Sequence, residues 1–106
     1  MVIANVNLPM DVIAAFCKRR HIKQLELFGS ALRDDFGPES DLDFLYVLDP
    51  ADAWSFDDLL DAEKELAALL GRDVDLVKRA LIEKEENPWR RKNILGAARV
   101  IYPDGR

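Results

Sequence analysis

Two aspartates one residue apart, Asp41 and Asp43, open a run that is otherwise apolar, Leu42 and then Phe44 to Leu48. On a strand, side chains alternate between faces, so both carboxylates project from the same side. Two carboxylates side by side repel unless a cation joins them. Hard oxygen donors at this spacing suit Mg²⁺ or Mn²⁺, and a metal-bound pair can position and neutralise a nucleoside triphosphate. Upstream, the mostly apolar run Leu25 to Phe28 enters Gly29-Ser30. Glycine has no Cβ, so an anion can approach its backbone closely. A helix beginning near Ser30 aims its first N–H groups and the positive end of its dipole at a phosphate, and the Ser30 hydroxyl can also cap that helix. Gly37 and Pro38 mark a loop before Ser40, which makes the order strand, tight turn, short helix, loop, strand. A lone Asp-x-Asp is more often the polar face of an exposed strand. The coincidence of several correctly spaced elements reverses that balance.

Gly29, Ser30, Arg33, Ser40, Asp41 and Asp43 together resemble the motif of the minimal nucleotidyltransferases in the DNA polymerase beta-like superfamily. That pattern is Gly-Ser, an Arg three residues past the Ser, and Ser-Asp-x-Asp with its first Asp about eleven past the Ser. Asp34 departs from it, since many members carry Gly there. The resemblance continues through Leu70 to Val77, through Arg90 to Leu95 and on to Ile101-Tyr102, nearly the whole chain. It implies an α/β (α+β) nucleotidyltransferase fold, a small mixed β-sheet flanked by helices. It also implies two Mg²⁺ ions, with Mn²⁺ as a substitute, held by Asp41, Asp43 and a third carboxylate, Asp75. Gly29, Ser30, Arg33 and Ser40 are the implied contacts of ATP or another NTP, with Gly29 and Ser30 on the β and γ phosphates. The implied reaction moves AMP, or another nucleoside monophosphate, to a hydroxyl. Stand-alone proteins of this size resemble antitoxins encoded beside HEPN-type ribonuclease toxins, where the acceptor is a toxin tyrosine. The rival reading is a non-catalytic module that neutralises its partner by contact.

The elements that must position these residues are legible in the apolar spacing. Val12, Ile13, Phe16 and Cys17 recur at helical intervals, which predicts an amphipathic helix over Met10 to His21 after Pro9. Gln24 to Phe28 reads as a first core strand. Ala31 to Phe36 is a helix too short to stand alone. Asp41 to Asp49 is a second strand, apolar on both faces beyond Asp43 and therefore central. Ser55 is a candidate N-cap with Asp57 and Asp58 behind it, and Phe56, Leu59, Ala62, Leu66 and Leu69 continue to Gly71, the most secure helix of the chain. Val74 to Val77 is a third strand. Asp73 and Asp75 share a face of it, and parity does not choose between them; the resemblance assigns Asp75. Ala80 to Glu86 predicts a helical turn, Trp89 to Ala98 a last helix with Ile94 and Leu95 inward, and Arg99 to Tyr102 an edge strand. Cys17 reads as a packing residue, His21 as a solvated helix end, and Arg33 as a surface cation within reach of Asp34, Asp35 or Glu26. Trp54 and Trp89 read as core-edge packing, and Arg90 to Lys92 as a solvated face.

Composition sets outer bounds. A chain of 106 residues with 49% apolar and 33% charged residues reads as one globular domain, residues 1–106. One cysteine leaves no intramolecular disulfide, and no apolar run approaches the roughly 20 residues that span a bilayer. The expectation is a cytoplasmic protein without a membrane partner. A net charge of −5 disfavours direct binding to a nucleic-acid backbone.

Overall fold

The computed structural model describes residues 2–3, 6–28 and 41–103, the first two pairs by backbone alone. The predicted turn at Gly29-Ser30, the short helix over 31–36, Arg33 and Ser40 lie outside the described residues. The chain opens with a two-stranded hairpin that the sequence did not announce, β1 (Val2–Ile3) and β2 (Val6–Asn7). Helix α1 (Met10–Arg19) follows, then β3 (Ile22–Phe28) and β4 (Leu42–Leu48). Helix α2 (Phe56–Leu70) leads to β5 (Val74–Lys78), and the short α3 (Arg79–Glu83), α4 (Pro88–Ala97) and β6 (Arg99–Tyr102) complete the order.

The main sheet has the order β5-β4-β3-β6. Strand β4 pairs antiparallel with β3 and parallel with β5, and β6 joins β3 antiparallel on the far side. The parallel pair exists because α2 carries the chain back over the sheet, the crossover that parallel strands require. As expected for a central strand, β4 buries both faces. Leu42, Phe44 and Tyr46 face the main core, whereas Leu45 points the other way and is also fully buried.

The core lies between the sheet and helices α1 and α2. Ile13, Phe16 and Cys17 of α1 and Ala62 and Leu66 of α2 meet Leu25, Leu27, Phe44, Leu76 and Ile101 there. Burying a phenyl ring such as that of Phe44 stabilises the fold by about 1.5–3 kcal/mol, so this layer holds the strand that carries the aspartates. Helix α2 starts where the sequence predicted. Ser55 Oγ accepts the Asp58 N–H at 3.1 Å, and the Asp58 carboxylate accepts the Ser55 N–H at 2.9 Å. Gly71 stops the helix at φ 69°, a left-handed geometry that glycine adopts without strain.

Three expectations are corrected here. Helix α1 ends at Arg19, because His21 takes φ 60° and turns the chain straight into β3. Glu26, expected at the surface, is 5% exposed, and the Arg79 guanidinium bonds to it. Trp89 packs on no core edge and is 74% exposed, while Trp54 does pack, stacked on Tyr46 with ring centroids 4.9 Å apart.

Candidate active site

Register decides which side chains meet. In the parallel pair, Asp43 stands opposite Asp75, one step in from Leu42 opposite Val74. On the other side of β4, Asp43 stands opposite Phe28, the last residue of β3. Phe28, Asp43 and Asp75 thus form one row across three strands, on the face away from α1 and α2. Gly29 follows Phe28 in the chain and lies outside the described residues. Asp41 precedes β4, two residues before Asp43, and is exposed; Asp43 is half-buried and Asp75 exposed.

The backbone ties the start of β4 to the start of β5, since the Leu42 N–H donates to the Asp73 carbonyl at 2.9 Å. Asp73 itself lies just before β5, whereas Asp75 lies within it. The alternatives left by parity therefore sit in different settings: one carboxylate is in register with Asp43 and the other belongs to the turn.

Outside β5, the Glu63 carboxylate accepts the Leu76 N–H at 2.8 Å, so α2 covers the donor that an edge strand leaves open. The charge of Glu63, after burial, is the second cause that holds the Tyr46 hydroxyl above its ordinary value of 10.0. Beside this contact runs an open groove of 360 Å³. Leu60, Lys64 and Ala67 of α2 form one wall, and Asp73, Val74 and Asp75 the other, with Asp41 at the mouth.

On the same sheet face as Asp43 and Asp75, one row further in, Glu26 stands opposite Leu45. Arg79, four residues past Asp75, reaches back over that row to the Glu26 carboxylate, and its Nε lies 3.5 Å from Glu83. Sequence reasoning missed this pair. The signal was present in Glu26, a carboxylate between the core residues Leu25 and Leu27, where burial demands a partner.

Hard carboxylate oxygens from neighbouring strands, in register and on one face, are a donor set suited to Mg²⁺ or Mn²⁺. Among the described residues, the group whose ligand atoms all lie within 4.8 Å of one another is His21, Asp49 and Asp52, at the opposite end of β4; Asp41, Asp43 and Asp75 are not gathered so closely. Other reactive groups are quiet. Burial pushes the Cys17 thiol up to about 12, which keeps it protonated, as its packing role predicted. Of the basic cluster Arg90 to Lys92, Arg90 and Lys92 are exposed, and the Arg91 guanidinium donates to the Glu85 carbonyl at 2.8 Å.

A family model described as a nucleotidyltransferase domain matches residues 10–101. A candidate protein adenylyltransferase of Methanocaldococcus jannaschii is 34% identical over 73 residues, covering 69% of this chain and 70% of that protein. A solved structure described as a minimal nucleotidyltransferase is 26% identical with a TM-score of 0.62, over 84% of this chain and 85% of its own. A toxin-antitoxin complex solved with AMP-PNP contains a chain at TM-score 0.67 and 20% identity, over 90% of this chain and 73% of that one. A chain in the complex of a tri-AMPylated Shewanella oneidensis HEPN toxin with its antitoxin gives 0.58 at 19%, over 88% and 68%. At these last identities the likeness is one of fold. It includes the four-stranded mixed sheet with helices that the family resemblance implied.

Proposed function

From the premise that this chain belongs to the nucleotidyltransferase family, we propose that it transfers AMP from ATP to a hydroxyl of a protein partner, a tyrosine of a HEPN-type toxin, and acts as the antitoxin. The observation that carries the reading is the in-register pairing of Asp43 with Asp75, with Asp41 two residues before, in a chain whose relative is a candidate adenylyltransferase. A structural neighbour holding AMP-PNP supports ATP as the donor, and one holding an AMPylated HEPN toxin supports the acceptor.

Asp41, Asp43 and Asp75 would hold two Mg²⁺ ions, to which their hard oxygens are suited; such ions would supply charge neutralisation at the triphosphate. The rest of the reaction falls to the chain's own groups. Gly29 and Ser30 hold the β and γ phosphates, with Arg33 and Ser40 as further nucleotide contacts. The acceptor oxygen forms a bond to the α-phosphorus while the bond from that phosphorus to the α–β bridging oxygen breaks. Pyrophosphate leaves with that electron pair, and Asp75 takes the hydroxyl proton. Positioning and electrostatics supply most of the rate in chemistry of this kind. We place the protein in the cytoplasm as one domain over residues 1–106; no helix among the described residues is long and apolar enough to cross a membrane.

Incubation with a candidate HEPN-type toxin, labelled ATP and Mg²⁺ tests the reading. Label should reach the toxin, with mass added in units of AMP on a hydroxyl residue. The double variant D41N/D43N should stop both labelling and neutralisation, even where the two proteins still co-purify. Neutralisation by that variant as complete as by the wild type would transfer the function to the non-catalytic contact module.

A further inference from the structure

We infer that this protein self-associates head to tail, with the acidic start of α2 on one copy docked on the basic α3–α4 surface of the next. The inference is independent of the transfer reaction proposed above.

Large apolar side chains left in water mark the two surfaces. Among the described residues these are Phe56, Leu60 and Leu69 on α2, and Leu81 and Trp89 on α3 and α4. Phe56 keeps 71% of its surface exposed and Trp89 74%. Phe56 and Leu60 stand one turn apart on one side of α2, and Asp57 and Asp61 form the row beside them. On the other surface, α3 and α4 bury none of their side chains, and α4 packs mainly on α3. A helix of ten residues is marginal alone in water and takes its stability from packing, so α4 gains from a partner that covers it.

Charge decides what covers it. Helix α4 carries Arg90, Arg91 and Lys92 and no acid, whereas the start of α2 carries Asp57, Asp58 and Asp61 and no base. The contrast extends through the chain: acids outnumber bases sixteen to seven up to Val77, and bases outnumber acids eight to four from Lys78 onward. A second copy therefore brings to each surface the opposite charge and an exposed aromatic ring. Trp and Arg are also the side chains that most often dominate a protein contact. Arg79, at the start of α3, lies over the sheet face opposite to the one that α2 covers. Two copies joined through one such contact thus leave one surface of each free, the heterologous arrangement that grows into rings or filaments.

Sedimentation equilibrium tests this on the protein alone. At low salt the wild-type mass should rise with concentration from 12.1 kDa past that of a dimer. It should fall back at about 1 M salt, where the Debye length is about 3 Å. W89E spoils one surface and F56K the other, and each should weaken association at least about tenfold. Each variant keeps the surface that the other lacks, so an equimolar mixture should form a one-to-one pair of twice the monomer mass and stop there. That pair also shows that both variants are folded. A wild type that stays at the monomer mass at every concentration overturns the inference, even where a foreign acidic chain binds α4. So does a wild type that stops at a discrete dimer, because the contact is then twofold. Variants that associate as the wild type does, a loss confined to one of the two, or a mixture that stays monomeric overturn it as well.

Discussion

Asp75→Asn should make the metal-free protein more stable while removing its response to Mg²⁺ and ATP. Asp43 and Asp75 stand directly opposite each other on adjacent strands, the arrangement in which like charges disfavour pairing. At a separation of roughly 5 Å and a water-like dielectric constant of about 80, the repulsion is about 0.8 kcal/mol. Asp75 is exposed, so the water-like value is the appropriate one. The nearly isosteric amide removes the charge and keeps the shape. For a domain near this size, 1 kcal/mol moves the melting temperature by about 4–8 °C, so the expected rise is about 3–6 °C in a chelating buffer at low salt. The gain should shrink toward zero at about 1 M salt, where the Debye length falls to about 3 Å. With Mg²⁺ and ATP the order should invert: the wild type is stabilised by its ligand and the variant is not. Differential scanning fluorimetry under the four conditions reads all of this. A metal-free variant no more stable than the wild type, or one with a full-size ligand shift, refutes the assignment of Asp75 to a shared carboxylate site.

Asp73→Asn should leave most transfer activity where Asp75→Asn removes it, in a labelled-ATP assay; equal losses would mean that the register argument chose the wrong carboxylate. Arg79→Met strands the buried Glu26 and should cost about 3–5 kcal/mol in urea unfolding, with E26Q/R79M recovering more than half, whereas a loss under about 1 kcal/mol would show that the pair is not buried in solution. Hydrogen bonds from Arg19, then Arg20, hold the Glu65 carboxyl below its ordinary 4.5, so its contribution is present above that pH and is lost as pH falls through the lowered value; E65Q should flatten the acid limb of the stability curve below about pH 4.5, and an unchanged limb counts against the contact. The Cys17 thiol, pushed up to about 12 inside the core, should resist a thiol reagent in the native protein and react at once in denaturant.

What the sequence made legible, and what it did not, divides along physical lines. Helix α2 was readable because every signal for it is local: a serine cap, acids in the first turn, a three-and-four apolar stripe and a terminal glycine. Strand β4 was readable for the same reason, and its central place followed from apolar residues on both faces. Pairing is not local. Nothing between residues 43 and 75 states that they meet, and parity alone left Asp73 and Asp75 equivalent; the resemblance chose, and the parallel register shows what separates them. Glu26 and Arg79 were missed because a buried ion pair is written in two distant residues, each of which looks solvated when read alone. The nucleotide half of the motif, Gly29, Ser30, Arg33 and Ser40, rests on spacing and family, since those residues lie outside the described structure. The two halves are joined in the chain at Phe28. Phe28, the residue before Gly29 in the chain, pairs with Asp43 on the carboxylate row. On the proposed reading, the phosphate contacts follow β3 in the chain and the third carboxylate lies on β5, with β4 and its Asp43 between those strands. An in-line transfer needs a neutralised centre with a donor on one side and an acceptor on the other, and on the proposed reading the order β3, β4, β5 sets the residue before the phosphate motif, the central carboxylate and the third carboxylate side by side.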